Sequence, residues 1–360
     1  MERIHIMRAT EKDIAFLDGL YSGRRAFFGE LHDHAKTGGT SDGQRTLEHW
    51  KGAMEALKMD FGTILDHKQV RHMYLPEWED GTFIGGTEPG ANILDIVCQK
   101  PNLHYNMIFA EPAPLEALLE EFQEYRFTGG KEGHFIYPGF TTPRFCELID
   151  AVKAHGGFFV HPHPKQQLIS DDPLHYWYRD ETGIEVFYTG DANNGRDYTA
   201  ENYELWTTLL AMGKRLWACA GGDGHACADD RALTTIYAEE KKNASYIFHL
   251  REGDFTAGAV GIKMCIGDMK MGGICGFDGK RLVLSVGDFH VSVADSVHKY
   301  CVKLLSDEGE VFSEEVSCTE PAYFAIDVED KKFYRAEVYD LSRGKLIALG
   351  NPIWNEKYYD

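Results

Sequence analysis

The chain has 360 residues, enough to bury a large core and to divide into two domains. It is 43% hydrophobic and 26% charged, and its formal charge of −20 argues against nucleic acid or an anionic membrane as the main partner, because both need a basic face. A small anionic substrate stays open, since bound cations reverse the field locally.

The opening MERIHIMRATEKDIAFLDGL has no apolar signal-type stretch, and no uncharged apolar run reaches the roughly 18 residues of a membrane span. Cys98, Cys146, Cys219, Cys227, Cys265, Cys275, Cys301 and Cys318 form no Cys-x-x-Cys pair. They read as reduced, mostly buried thiols of a cytoplasmic protein rather than as a disulfide framework.

In chain order, AFFGEL reads as a strand ending at His32. TLEHWKGAMEALKM places Leu47, Trp50, Met54 and Leu57 on one helical face, and FGTILDH follows as a buried strand. PLEALLEEFQEY aligns Leu115, Leu118, Leu119 and Phe122 on a second helix whose acidic face is solvated. TTPRFCELIDAVKAHGG predicts a helix with Thr142 as N-cap, Pro143 in its first turn and Gly156 and Gly157 closing it. FFV returns as a strand, and TGIEVFY, AENYELWTTLLAMG and RLWACAGGDGH repeat the pattern. Such alternation predicts a mostly parallel sheet, open or closed into a barrel. After about residue 250, RLVLSVG, FHVSVAD, KYCVKLLSDEGEVFSEEV, AYFAIDV, FYRAEVYD and KLIALGN predict short strands of an antiparallel sandwich. The expected division is therefore 1–250 and 251–360.

Histidines and acids fall repeatedly where an apolar strand ends: His32 and His34, Asp66 and His67, His161 and His163, Asp223 and His225. Strand ends on one face of an α/β barrel are where loops gather catalytic groups. Neutral imidazole and carboxylate oxygen suit zinc, manganese and iron, and His-x-His on an extended segment points both rings to one side. One such histidine is as readily a structural group as a ligand; four clusters together favour a metal site. Two adjacent metals need a bridging carboxylate, and Glu88 in FIGGTEPG is placed to be one. His49, His155, His175, His249, His290 and His298 lack this context and read as structural or surface groups, and Glu185 in TGIEVFY reads as structural or supporting. No Gly-x-Ser-x-Gly elbow appears, and GGDGH lacks the phosphate-loop lysine pattern.

The motifs ELHDHAKTGGTSDG, FGTILDH, GTEP, LHYNMIF, GGFFVHPHP and GGDGH, in that order over about residues 24–230, resemble the polymerase-and-histidinol-phosphatase (PHP) superfamily of metal-dependent phosphoesterases. The resemblance implies a distorted seven-stranded β/α barrel holding two or three divalent metals, zinc, manganese or iron, at its strand ends. His32, His34 and Asp223 would hold the first metal; Glu88 would bridge the first and second. His104 would bind the second with the histidine of HPHP, which is His163 by family spacing, with strand alternation leaving His161 open. Asp42, His67 and His225 would hold a third, and Asp66 would orient a ligand. The segments HLREGDFTAGAVGIKMCIGDMKMGG and FYRAEVYD…GKLIALGNPIW resemble the CehA/McbA-like branch, whose appended β-sandwich accompanies hydrolysis of an aryl carbamate.

The implied activity is hydrolysis of a small phosphorylated substrate by a metal-bridging hydroxide, with carbamate, carboxyl ester or amide hydrolysis on the same centre as the alternative. Asp223 or a nearby histidine would take the proton, and His225 or His67, where not locked on a third metal, would protonate the leaving group. Lys68, Arg71, His72 and Lys165, with Arg24 and Arg25, are candidates to grip phosphate. The rival from another class is a non-catalytic metal-containing protein whose sandwich recognises a carbohydrate or partner. Oligomeric state and substrate identity are not legible.

Overall fold

The computed structural model describes residues 7–95, 103–126, 138–167, 179–190, 196–226, 228, 231–294, 299–317 and 320–359. Among these residues the chain is mixed α/β, with a large central sheet and eight α-helices, six of them ten residues or longer. Among the described residues no helix is long and apolar enough to cross a membrane. His175, His298, Cys98, Cys227 and Cys318 lie outside the described residues; the other five cysteines are free thiols.

Seven strands carry the first two-thirds: β1 (Arg25–Asp33), β2 (Phe61–Ile64), β3 (Phe83–Thr87), β4 (Asn106–Phe109), β5 (Phe158–His161), β6 (Thr182–Tyr188) and β7 (Leu216–Gly221). They lie side by side in that order. The ends of the row are joined: the His34 amide donates to the Gly224 carbonyl at 2.7 Å and the Gly224 amide to the His32 carbonyl at 3.2 Å. Parallel pairing holds for β1–β2, β2–β3, β5–β6 and β6–β7, but β4 runs antiparallel to both neighbours. The reason is local: after β3 the chain turns back through a short hairpin, Gly90–Ile93 against Leu103–His104, and enters β4 reversed.

The helices follow their sequence signals. α1 (Glu11–Leu20) starts on a Thr10 capping box, and α2 (Leu47–Leu57) on Thr46, burying Leu47, Trp50 and Met54. α3 (Pro112–Glu121) and α4 (Thr142–Ala154) share a core with the outer face of β4 and β5, built on Leu115, Leu118, Phe145 and Leu148. The cap of α4 is Thr141 rather than Thr142: its hydroxyl accepts from the Arg144 amide, while Thr142 bonds Asp95. α5 (Thr199–Ala211) and α6 (Asn243–Glu252) complete the long helices.

β8 (Thr234–Ala238) pairs antiparallel with β1 and passes the sheet on to β9 (Phe255–Gly258). β10 (Val260–Ile266), β11 (Arg281–Phe289), β12 (Lys299–Ser306), β13 (Gly309–Ser317), β14 (Ala322–Asp327), β15 (Phe333–Asp340) and β16 (Lys345–Gly350) follow. β16, β15, β12 and β13 extend the large sheet from β9, so it runs unbroken past residue 250. β10, β11 and β14 form a separate antiparallel sheet, and Ile262, Leu284, Val302 and Val338 join the two sheets in one core. FHVSVAD does not continue as a strand: β11 ends at Phe289, and Val291–Ala294 form a helical turn whose Val293 and Ala294 amides bond the His290 carbonyl.

Candidate metal centre

At one mouth of the ring the strand ends are stitched together by backbone hydrogen bonds. The Leu65 amide donates to the Asp33 carbonyl (2.8 Å), the Glu88 amide to the Leu65 carbonyl (3.1 Å) and the Gln44 amide to the His225 carbonyl (2.7 Å). This places the loops that carry the expected donors on one rim. Because β4 is reversed, His104 precedes its strand yet arrives at the same rim as residues that follow theirs.

All nine expected metal-binding side chains meet there, in three groups whose donor atoms lie within 4.8 Å of one another. His32, His34, Glu88 and Asp223 form the first, Glu88, His104 and His163 the second, and His34, Asp42, His67 and His225 the third. Glu88 and His34 each belong to two groups. Glu88 Oε1 lies 3.0 Å from His104 Nδ1 and 3.1 Å from His163 Nε2, while Oε2 lies 3.2 Å from His34 Nε2. Asp42 Oδ2 sits 3.3 Å from His67 Nε2 and 3.2 Å from His225 Nε2. The Asp42 side chain is 43% exposed, so the third group faces solvent, whereas His32, His34 and Glu88 are buried.

The imidazole tautomers follow from partners that only accept. His67 Nδ1 donates to the Glu88 carbonyl (2.7 Å), His225 Nδ1 to the Asp223 carbonyl (2.9 Å) and His32 Nδ1 to the Glu185 carboxylate (2.8 Å). Each ring then turns Nε2 toward the acids of its group. Nε2 of His34 and His32 face each other at 3.3 Å, a spacing that requires a shared proton or a cation. The buried Nδ1 atoms of His34 and His163 have no hydrogen-bond partner among the described residues. This donor set and these orphaned nitrogens fit divalent metal ions.

Two donors are held on strained backbone: His163 has φ 29° and Asp223 φ 52°, in the left-handed region that costs about 1–3 kcal/mol where the surroundings do not enforce it. The Glu185 carboxylate accepts from the His163 amide at 2.7 Å, and the Tyr188 hydroxyl donates to Asp223 Oδ2 at 2.9 Å. Glu185 and Tyr188 are three apart on β6 yet face the same interior, because the pairing with β7 shifts between Glu185 and Phe187 and leaves Val186 as an extra residue. Gly221 makes room for this arrangement, since a Cβ there would meet Glu185 Oε1 at 2.5 Å and the His32 Cβ at 2.7 Å. Gly43 does the same for the Asp42 loop, which folds to within 2.5 Å of the His34 carbonyl at the corresponding Cβ position.

Charges reinforce the geometry. Burial opposes a charged imidazole at His32, but Glu185, Glu88 and Asp223 overrule it and raise its pKa well above the ordinary value. Against the same burial penalty, hydrogen bonds to Asp223 and Glu88 raise His34 to about 10. Burial alone would raise Glu88 and Asp223; the surrounding histidines instead hold both below the usual carboxylate range.

Other expectations resolve differently. His161 ends β5 with its ring against Phe159, and it is His163 that joins a donor group. Asp66 accepts from the Ala35 amide (3.0 Å) and the Thr37 hydroxyl and lies 3.4 Å from His72, so it orders the loop after His34 rather than gripping one of the nine. His72 is buried between Asp66 and Trp78 and is closed to a ligand. Arg24 is tied to Glu239 and Asp254, and Arg25 lies over Phe27, both at the far end of β1. Lys68 directly follows His67 at φ 54°, half-buried, and burial lowers its pKa. The exposed Arg71 lies over Gly38 and Gly39, and the Lys165 amide bonds Asn202. His249 and His290 are buried, the former paired with Glu239; His155 pairs with Glu121, and His49 is exposed.

No family model matches the sequence, and no curated protein is significantly similar to it. Among solved structures, an amidohydrolase from Chromobacterium violaceum, determined with bound sulfate and no metal, matches with a TM-score of 0.35 and 16% identity, over 55% of this chain and 87% of that one. A likeness this slight bears on neither fold nor chemistry.

Proposed function

We propose that the chain is a metal-dependent hydrolase of the PHP type, a phosphoesterase acting on a small phosphorylated substrate, with a barrel over 1–250 and a β-sandwich over 251–360. The observation that carries this reading is the sharing of Glu88 and His34 among three convergent donor groups. Two or three divalent ions, zinc, manganese or iron, would be held by His32, His34, Asp42, His67, Glu88, His104, His163, Asp223 and His225. When bound, they supply Lewis acidity that makes water acidic and polarises a substrate oxygen.

The chain's own residues do the rest. Asp223, fixed by Tyr188, is the proton acceptor in the first group, and with two ions bound and the third group empty His67 or His225 is the donor to the leaving group. Lys68, Arg71 and Lys165 supply the cationic contacts to a phosphoryl group that the acidic rim otherwise repels. The reduced thiols fit a cytoplasmic setting.

The test is metal analysis of the purified protein followed by assay against phosphomonoesters, phosphodiesters, aryl carbamates and carboxyl esters, with His32→Ala alongside. Bound metal with phosphoester turnover abolished by the substitution supports the reading. Carbamate or carboxyl ester turnover alone replaces the substrate class. A metal-free or inert protein rejects it.

A further inference from the structure

A cavity of about 780 Å³ lies behind β6, outside the ring of strands and apart from the donor groups. Tyr188 faces inward to Asp223, while its neighbours Phe187 and Thr189 line this cavity. The opposite wall is the β15–β16 turn, so the cavity occupies the junction between the ring and the C-terminal strands, a common place for small-ligand sites.

Its walls are fixed and its mouth is basic. Tyr203 and Tyr339 both line it, and their hydroxyls donate to the two oxygens of one buried carboxylate, Glu337, the Tyr339 bond being 2.8 Å. Buried Arg335 neutralises that carboxylate and bonds the Tyr203 hydroxyl at 3.1 Å. Two aromatic rings are thereby held in place beside Phe187, ready to flank a flat apolar body at little entropic cost. Arg231, Arg343 and Lys345 all reach the lining. Among the described lining residues the acid is Asp197, which already accepts from the Thr199 amide at 2.9 Å. Arg343 Nε lies 3.7 Å from Asp340, which leaves Lys345 beside it to give this edge of the cavity a basic character in a chain carrying −20.

We propose that this cavity is a second ligand site, selective for a small aromatic anion whose ring lies between Tyr203, Tyr339 and Phe187 and whose carboxylate or phosphate meets Lys345 and Arg343 on the β15–β16 turn. The site stands whether or not the donor groups catalyse hydrolysis, because its binding is read without turnover.

Calorimetric titration of the full chain with 2-naphthoate and with its neutral isostere 2-naphthamide tests it. The acid should bind at least about tenfold more tightly, the worth of one charge-assisted hydrogen bond. Arg343→Ala/Lys345→Ala, on an exposed turn, should bring the acid down to the affinity of the amide, and Ala200→Trp, which puts an indole into the cavity, should weaken both. His32→Ala should leave both affinities unchanged. Equal affinity for acid and amide, indifference to the turn substitutions, or loss in His32→Ala would overturn the assignment, the last by moving the anion to the donor groups.

Discussion

Glu185 Oε1 lies 2.8 Å from Nδ1 of His32, and both side chains are wholly buried. The contact decides which nitrogen of His32 carries the proton and turns Nε2 toward Glu88 and Asp223. The same carboxylate holds the His163 amide, so one acid orients donors of two groups. Glu185→Gln keeps the shape but weakens both bonds. Affinity for zinc or manganese, measured by chelator competition, should fall about 10- to 100-fold with the fold retained. Unchanged affinity would show that the pair serves packing alone.

The sharing of donors gives a stoichiometric test. Asp42 belongs to one group and Glu88 to two. Asp42→Asn should reduce the metal content, read by elemental analysis, by the ion of the third group only. Glu88→Gln should deplete the other two together. Equal losses in the two variants would contradict the sharing.

The charge arrangement sets a pH dependence in the chelated protein. His34 is raised from 6.5 to about 10, so its contribution to stability is complete below about pH 6.5 and is lost as pH climbs through about 10. Glu88 and Asp223 are lowered, so theirs is complete above their ordinary values and is lost as pH falls through the depressed ones. The melting temperature of chelated protein should decline between about pH 7 and pH 10. Metal binding, which needs the neutral imidazole, should release protons and remove that decline. A flat alkaline profile for the chelated protein would contradict the coupling.

What the sequence disclosed and what it hid follow from the same physics. His32, His34, His67, Asp223 and His225 were legible because histidines and acids beside apolar strand ends are costly to bury without a purpose, whereas Asp42, His104 and the choice of His163 over His161 came from the resemblance alone. Glu185 was legible only as a structural or supporting acid, and Tyr188 was not assigned to the site at all, because TGIEVFY reads as one buried run and the extra residue at Val186 that turns both inward leaves no compositional trace. A carboxylate in an otherwise apolar strand was the available signal. Arg24 and Arg25 misled by proximity in sequence: eight residues of extended chain set Arg24 roughly 26 Å from His32. The reversal of β4 was likewise invisible, since a two-residue strand at Leu103–His104 has no periodicity to read.

Gly221 carries the last prediction. Its neighbours on β7 are buried, and an added methyl would press on both members of the Glu185–His32 pair at once. Neither can yield cheaply, since Glu185 also holds His163 and His32 is the wall shared with Asp223. Gly221→Ala should therefore cost about 1–3 kcal/mol in denaturant unfolding, the usual range for overpacking, and lower metal affinity with it. Glu185→Ala removes the carboxylate half of the clash and leaves only the His32 Cβ contact, so the double variant should be more stable than the sum of the two single losses requires. Strict additivity in that cycle would mean that the methyl is accommodated elsewhere, and that the close approach at Gly221 does not hold the pair in register.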